Sequence, residues 1–103
     1  MQIADWDIEI VDDGTTLLVM PNGELDVHTA PALSRALERC TSAHKVLIVD
    51  VSRISFIDST GLKTLVTARD RVRERLLLAG ENPVLDRLLE LTGTAGLFTR
   101  SPS

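Results

Sequence analysis

The apolar positions fall into short runs whose period changes along the chain. Ile8 to Val11 and Thr16 to Met20 are β-prone runs, and the DDGT at 12–15 between them is an acid-glycine turn that joins antiparallel neighbours, so this stretch predicts a β-hairpin. The period then becomes helical. Ala30, Leu33, Leu37 and Cys40 recur on one face, with Thr29 placed to cap and Pro31 tolerated in the first turn. KVLIVDV, residues 45–51, is an unbroken apolar run rich in branched side chains, which predicts a central strand covered on both faces.

From Ser59 the helical period returns, with Leu62, Leu65, Val66, Ala68 and Val72 inward and Lys63, Thr67, Asp70 and Arg71 outward. LLLAG, 76–80, reads as a third core strand ended by Gly80. NPVLDRLLEL opens with Asn82 as cap and Pro83 at the first helical position; Val84, Leu85, Leu88 and Leu89 make one stripe, and Gly93 closes the helix. A hairpin followed by alternating helices and strands predicts an α/β domain with a mixed sheet and right-handed crossovers.

Composition narrows this further. A chain of 103 residues with 44% hydrophobic content has room for one core, so residues 1–103 are expected to form a single domain. The net charge of −4 comes from acids spread along the sequence, which argues against direct nucleic-acid binding, since phosphate contacts need clustered cations. One cysteine, Cys40, and no Cys/His cluster predict a reducing compartment and no metal centre. The start MQIADWDIEI carries Asp5, Asp7 and Glu9 and lacks a basic segment before an apolar one, unlike a secretory signal. No apolar run reaches the roughly 20 residues that span a bilayer. The expectation is a cytoplasmic protein with a protein partner and no membrane or cofactor.

RISFIDSTGLKTLV, 53–66, holds the candidate chemistry: Ser59 sits between an apolar run and a helix start. It fits a helix cap, a catalytic nucleophile or a serine to be modified. The cap reading follows from the free N–H groups of a first turn, which Asp, Ser and Thr oxygens satisfy. A nucleophile on a sharp strand-to-helix turn needs glycines two residues to either side; Gly61 is present, Ile57 stands at the other position, and neither His28 nor His44 is assignable as base. A receiver aspartate at Asp50 with an acidic pair in VDD, 11–13, is opposed by the strand that follows VDD and by the absence of any lysine after Lys63.

Taken in order, GELDVHTAPAL at 23–33, VLIVDVSRISFIDSTGL at 46–62 and LLELTGTAGLF at 88–98 closely resemble the STAS domains of bacterial anti-sigma factor antagonists, from about Thr16 to Phe98. DSTGL is the most specific element. The resemblance implies an α/β STAS-like domain with a mixed four- to five-stranded sheet, an N-terminal hairpin and about three helices. It also implies a non-enzymatic switch in which Ser59 is the phosphoacceptor. The partner would be an anti-sigma factor that is itself an ATP-binding serine kinase, and a serine phosphatase would reset the switch. Unphosphorylated antagonist captures the anti-sigma factor and frees sigma; phosphorylated antagonist lets go. By the same matching Asp26 lies in a loop beside the acceptor and Asp58 flanks it, so Asp26, Asp58, Thr60 and Gly61 are expected at the partner surface. The alternative is a scaffold or accessory STAS domain of a transporter or stress-sensing complex without a phosphorylation cycle.

Three features depart from that family's pattern. RDRVRERLLLAG, 69–80, passes from helix to strand with no glycine or proline before Gly80, so the helix ends early or the strand starts late. Pro21 sits where a strand would continue and predicts a bulge or an early end. The chain stops soon after Phe98, and RSPS is expected to fray. Arg69, Arg71, Arg73 and Arg75 alternate with Asp70 and Glu74 and read as a solvated face. Trp6, His28, His44 and Cys40 read as ordinary packing or surface residues.

Overall fold

The structure is a computed structural model that describes residues 7–101, so Trp6 and the end of the RSPS tail lie outside the described residues. The elements are β1 (Asp7–Asp12), β2 (Thr16–Leu25), α1 (Ala30–Leu37), β3 (Val46–Asp50), β4 (Ile54–Ile57), α2 (Ser59–Val72), β5 (Leu76–Ala79), α3 (Pro83–Thr92) and β6 (Thr99–Arg100), with 3-10 turns at Arg73–Arg75 and Ala95–Leu97. The expected hairpin forms because its turn is built from its own acids. Asp12 accepts the Gly14 N–H at 2.9 Å, and Asp13 accepts those of Thr15 and Thr16 at 2.9 and 2.7 Å.

β1 runs antiparallel to β2, and β2, β3, β5 and β6 follow in parallel. β3 is central, as its sequence predicts. Its burial alternates, however: Leu47 and Val49 are buried, whereas Val46, Ile48 and Asp50 are half-buried, so only one face carries the core. The mixed sheet has six strands because two short ones escape a period-based reading. β4 is four residues long and β6 is two. β6 also ties down part of the tail, where the Ser101 N–H donates to the Leu78 carbonyl at 2.8 Å.

β2 serves two parallel partners in succession. Thr16–Val19 pair with β3, and Gly23–Leu25 pair with β4. Pro21 stands in the gap between them, where no ladder bond on that side is needed. The strand therefore does not end at Pro21, and the irregularity falls between Gly23 and Glu24 instead. This switch of partner delivers β4, and the helix after it, beside the far end of β2.

Two polar devices hold the helices. The Asn82 side chain donates to the carbonyls of Val51 and Ile54, each at 2.8 Å, and accepts the Leu85 N–H at 3.1 Å, fixing α3 to the β3–β4 connection. Of the arginines expected to form a solvated face, Arg69, Arg71 and Arg75 are engaged, whereas Arg73 is exposed. Arg71 donates to the Cys40 and Leu37 carbonyls at 2.9 and 2.7 Å, Arg75 to those of Thr41 and His44 at 3.0 and 2.7 Å, and Arg69 to that of Leu97 at 2.8 Å. They tie carbonyls at the end of α1 and in the loops beyond, some of which, such as those of Leu37 and Thr41, also accept a backbone N–H. The missing glycine after α2 is replaced by Arg73, which adopts φ 59° and ψ −134°. The helix ends at Val72 and the strand begins at Leu76.

Candidate functional site

The site begins where β4 hands over to α2. Asp58 is extended, its N–H donates to the Leu25 carbonyl at 3.3 Å, and its carboxylate accepts the Gly61 N–H at 2.9 Å. Its own carbonyl accepts the Leu62 N–H at 2.9 Å. The capping role read for the DST triplet thus belongs to Asp58. Ser59 is left as the first residue of α2, exposed, and its hydroxyl forms no hydrogen bond with any described residue. Thr60 is exposed in the same turn. The N–H groups of Ser59 and Thr60 also lack a partner among the described residues, and they carry the partial positive charge of a helix start.

Gly61 faces inward. A Cβ there would lie 2.6 Å from Leu25 Cγ, 2.7 Å from the Leu25 carbonyl oxygen and 3.1 Å from Ile57 Cγ1. Gly61 is buried, and its lack of a side chain lets α2 start directly against the end of β2. That close approach brings the loop after Leu25, and with it Asp26, to the side of Ser59.

Asp26 organises this loop. Its carboxylate accepts the N–H groups of His28 and Thr29 at 2.9 and 3.2 Å, and its carbonyl accepts those of Thr29 and Ala30 at 3.2 and 2.8 Å. The Thr29 hydroxyl accepts the Asp26 N–H at 2.9 Å and donates to the Glu24 carbonyl at 2.7 Å. Thr29 therefore caps nothing with its side chain, contrary to its sequence reading. Partial burial pushes the Asp26 carboxyl up, but the amides of His28 and Thr29, the Thr29 hydroxyl and the nearby His28 together bring it below its ordinary value. It stays ionised at neutral pH.

The group around Ser59 is a surface with acids at its side. An open cavity of about 410 Å³ is lined by Ile8, Glu9, Met20, Asn22 and Arg53, and none of the predicted site residues is in that lining. Among the described residues no three His, Cys, Asp or Glu side chains gather as metal ligands, and no helix is long and apolar enough to cross a membrane.

Residues 7–103 match the family model of the STAS domain. The chain belongs to the STAS domain family. This STAS domain is 37% identical over 102 residues to the anti-sigma-B factor antagonist of Listeria monocytogenes, covering 95% of this chain and 84% of that protein. It superposes on the crystal structure of an anti-sigma factor antagonist from Mycobacterium paratuberculosis with a TM-score of 0.82 at 26% identity, covering 96% and 87% of the two chains. It shares its fold with the phosphorylated form of the Bacillus cell fate determinant SpoIIAA, at a TM-score of 0.67 and 19% identity over 95% and 92%. The STAS architecture expected from the sequence is the one observed. What sequence reasoning missed is the Leu25 carbonyl, which takes the Asp58 N–H and bounds Gly61. A backbone acceptor leaves no mark on residue type, and Gly61 was the available signal.

Proposed function

We propose that this STAS domain is an anti-sigma factor antagonist. Unphosphorylated, it binds an ATP-binding serine kinase of the anti-sigma type and so frees a sigma factor for transcription; phosphorylated at Ser59, it releases the kinase. It acts in the cytoplasm by binding and not by catalysis, and a serine phosphatase restores the free hydroxyl. The observation that carries this reading is the unengaged hydroxyl of Ser59 on a helix start that is already capped by Asp58. Kinship with proteins named anti-sigma-B factor antagonists supports it.

The switch works by local electrostatics and bulk. The Ser59 hydroxyl oxygen attacks the γ-phosphorus of ATP, ADP leaves, and a base on the kinase takes the hydroxyl proton. The product carries about −1.5 to −2 charges. On the helix side these meet the free N–H groups of the first turn. On the partner side a surface fitted to a neutral hydroxyl meets added bulk, and the phosphate also joins the negative charges of Asp26 and Asp58. Affinity falls without refolding.

The test is to incubate the chain with the anti-sigma-type kinase encoded nearest its gene and ATP, and to locate the phosphate by mass spectrometry. Ser59 is the expected site. Ser59→Ala should keep kinase affinity, and Ser59→Asp should weaken it about tenfold or more. Affinity indifferent to both changes, with no phosphate on Ser59, would instead indicate a scaffold role.

A further inference from the structure

Two large apolar side chains stand open on the ground around Ser59. Val27, in the loop that Asp26 organises, is 59% exposed, and Phe56, on β4, is 47% exposed. The other described aromatic residue, Phe98, is buried. Phe56 pairs with Glu24 across the β2–β4 ladder, on the face opposite to buried Leu25 and Ile57. Single exposed apolar residues are ordinary on a protein surface. These two differ in what surrounds them.

Chain reach sets their distance from the acceptor. Phe56 lies three residues before Ser59, at most about 11 Å of chain. Val27 lies two residues beyond Leu25, at most about 7 Å of chain, and the Leu25 carbonyl borders Gly61 in the first turn of α2. A stable protein interface covers about 800 Å² per partner, a patch roughly 16 Å in radius. The backbone positions of Val27 and Phe56 therefore fall within the span of such a footprint centred on Ser59. The exposed Glu24, the half-buried Asp58 and the ionised Asp26 lie near them along the chain.

We infer that Val27 and Phe56 are the apolar anchors by which the kinase is held, filling depressions on a kinase face whose rim carries lysine or arginine opposite Glu24, Asp26 and Asp58. This inference rests on the proposed function and names the division of labour within it. The anchors supply affinity, which does not depend on the state of Ser59. Ser59 supplies control, because a phosphate placed between the anchors keeps the two faces from closing. Buried aromatic side chains at the centre of an interface carry an outsized share of its affinity, which puts Phe56 ahead of Val27.

The experiment measures binding of the same purified kinase by calorimetry for wild type, Val27→Ser, Phe56→Ala and Phe56→Leu, with thermal melts of each. Val27→Ser is a loop change and serves if Phe56→Ala folds poorly. The expected result is a Kd raised about tenfold or more by Phe56→Ala, about threefold or more by Val27→Ser, and less by Phe56→Leu than by Phe56→Ala. With the antagonist concentration varied, Ser59 phosphorylation should keep its kcat while its KM rises, which a misfolded acceptor would not show. If folded Val27→Ser and Phe56→Ala bind as wild type does while Ser59 is still phosphorylated, the anchors are refuted and the switch stands. If wild type neither binds the kinase nor accepts phosphate, the proposed function fails and this inference fails with it.

Discussion

α1 and α2 start in similar ways and end up in different roles. Each is preceded by an aspartate whose carboxylate accepts backbone amides, those of His28 and Thr29 in the loop before α1 and that of Gly61 in the first turn of α2, and each has a hydroxyl residue close behind, Thr29 after Asp26 and Ser59 after Asp58. Thr29 is consumed by the fold: its hydroxyl accepts the Asp26 N–H and donates to the Glu24 carbonyl. Ser59 is not used at all by the described structure. The difference shows that a hydroxyl at a helix start becomes available for chemistry when a neighbour has already done the capping. The two junctions are also mechanically joined, since the end of β2 that carries Asp26 is the backbone against which Gly61 packs.

The largest effect is expected from breaking that joint. Gly61→Val would put side-chain atoms where Leu25 Cγ and the Leu25 carbonyl already lie 2.6 and 2.7 Å from a Cβ position. One of those contacts is with backbone, so neither junction can yield cheaply. Overpacking of this kind costs about 3 kcal/mol, a fall in melting midpoint of more than about 10 °C for a domain of this size. Kinase binding should be lost in whatever fraction remains folded, because the loop of Asp26 no longer sits beside Ser59. A melt within about 2 °C of wild type would show that the two junctions are independent.

The comparison itself is measured by removing the two hydroxyls. Thr29→Ala leaves the Asp26 N–H and the Glu24 carbonyl without their partner and should destabilise by about 1 to 2 kcal/mol. Ser59→Ala should change stability by less than about 0.5 kcal/mol. Asp58→Ala, which removes the cap, should cost about 1 kcal/mol. Denaturant melts give all three. Equal losses from the two hydroxyl variants would mean that Ser59 is a structural residue after all.

How much of this was readable from residue types differs between the same two regions. The DST triplet announced a helix start, but which of Asp58 and Ser59 would cap is set by backbone angles that sequence does not carry. Before α1 the sequence put the cap on Thr29. The actual wiring needs Asp26, Thr29 and the Glu24 carbonyl in three dimensions. The main helices and strands were legible because their apolar periods run for several residues. β4 was not, since ISFI is short and Phe56 and Ser55 face solvent. The arginines of α2 and the turn after it read as solvent-facing because carbonyl acceptors 28 to 34 positions away leave no local pattern.

A smaller change at the other end of α2 separates stability from availability. Arg73 holds a φ of 59° in a region that favours glycine. Arg73→Gly should therefore stabilise the domain by about 1 kcal/mol, and its side chain makes no hydrogen bond to a described residue that would be lost. Phosphorylation of Ser59 and kinase affinity should stay at wild-type values. A stabilised variant that lost kinase affinity would tie the switch to flexibility of the helix and not to a free hydroxyl.

The smallest effect is a difference in acid sensitivity. The folded values of three carboxyls lie below the ordinary aspartate value: Asp12 through the Gly14 amide and the His44 side chain, Asp13 through the Thr16 and Thr15 amides, and Asp26 through amide bonds that outweigh its partial burial. A carboxyl lowered on folding adds stability that is fully present above its unfolded value, near 3.8, and disappears as pH falls below that toward the folded value. Acid should thus loosen the β1–β2 turn and the start of α1. Asp26→Asn should begin less stable at pH 7 and lose less on acidification below about pH 4, whereas Ser59→Ala should follow the wild-type profile throughout. Denaturation midpoints taken down to about pH 2.5 decide it: an Asp26→Asn profile parallel to wild type would remove the amide-bonded carboxylate from the start of α1, and with it the contrast between an engaged junction and a free one.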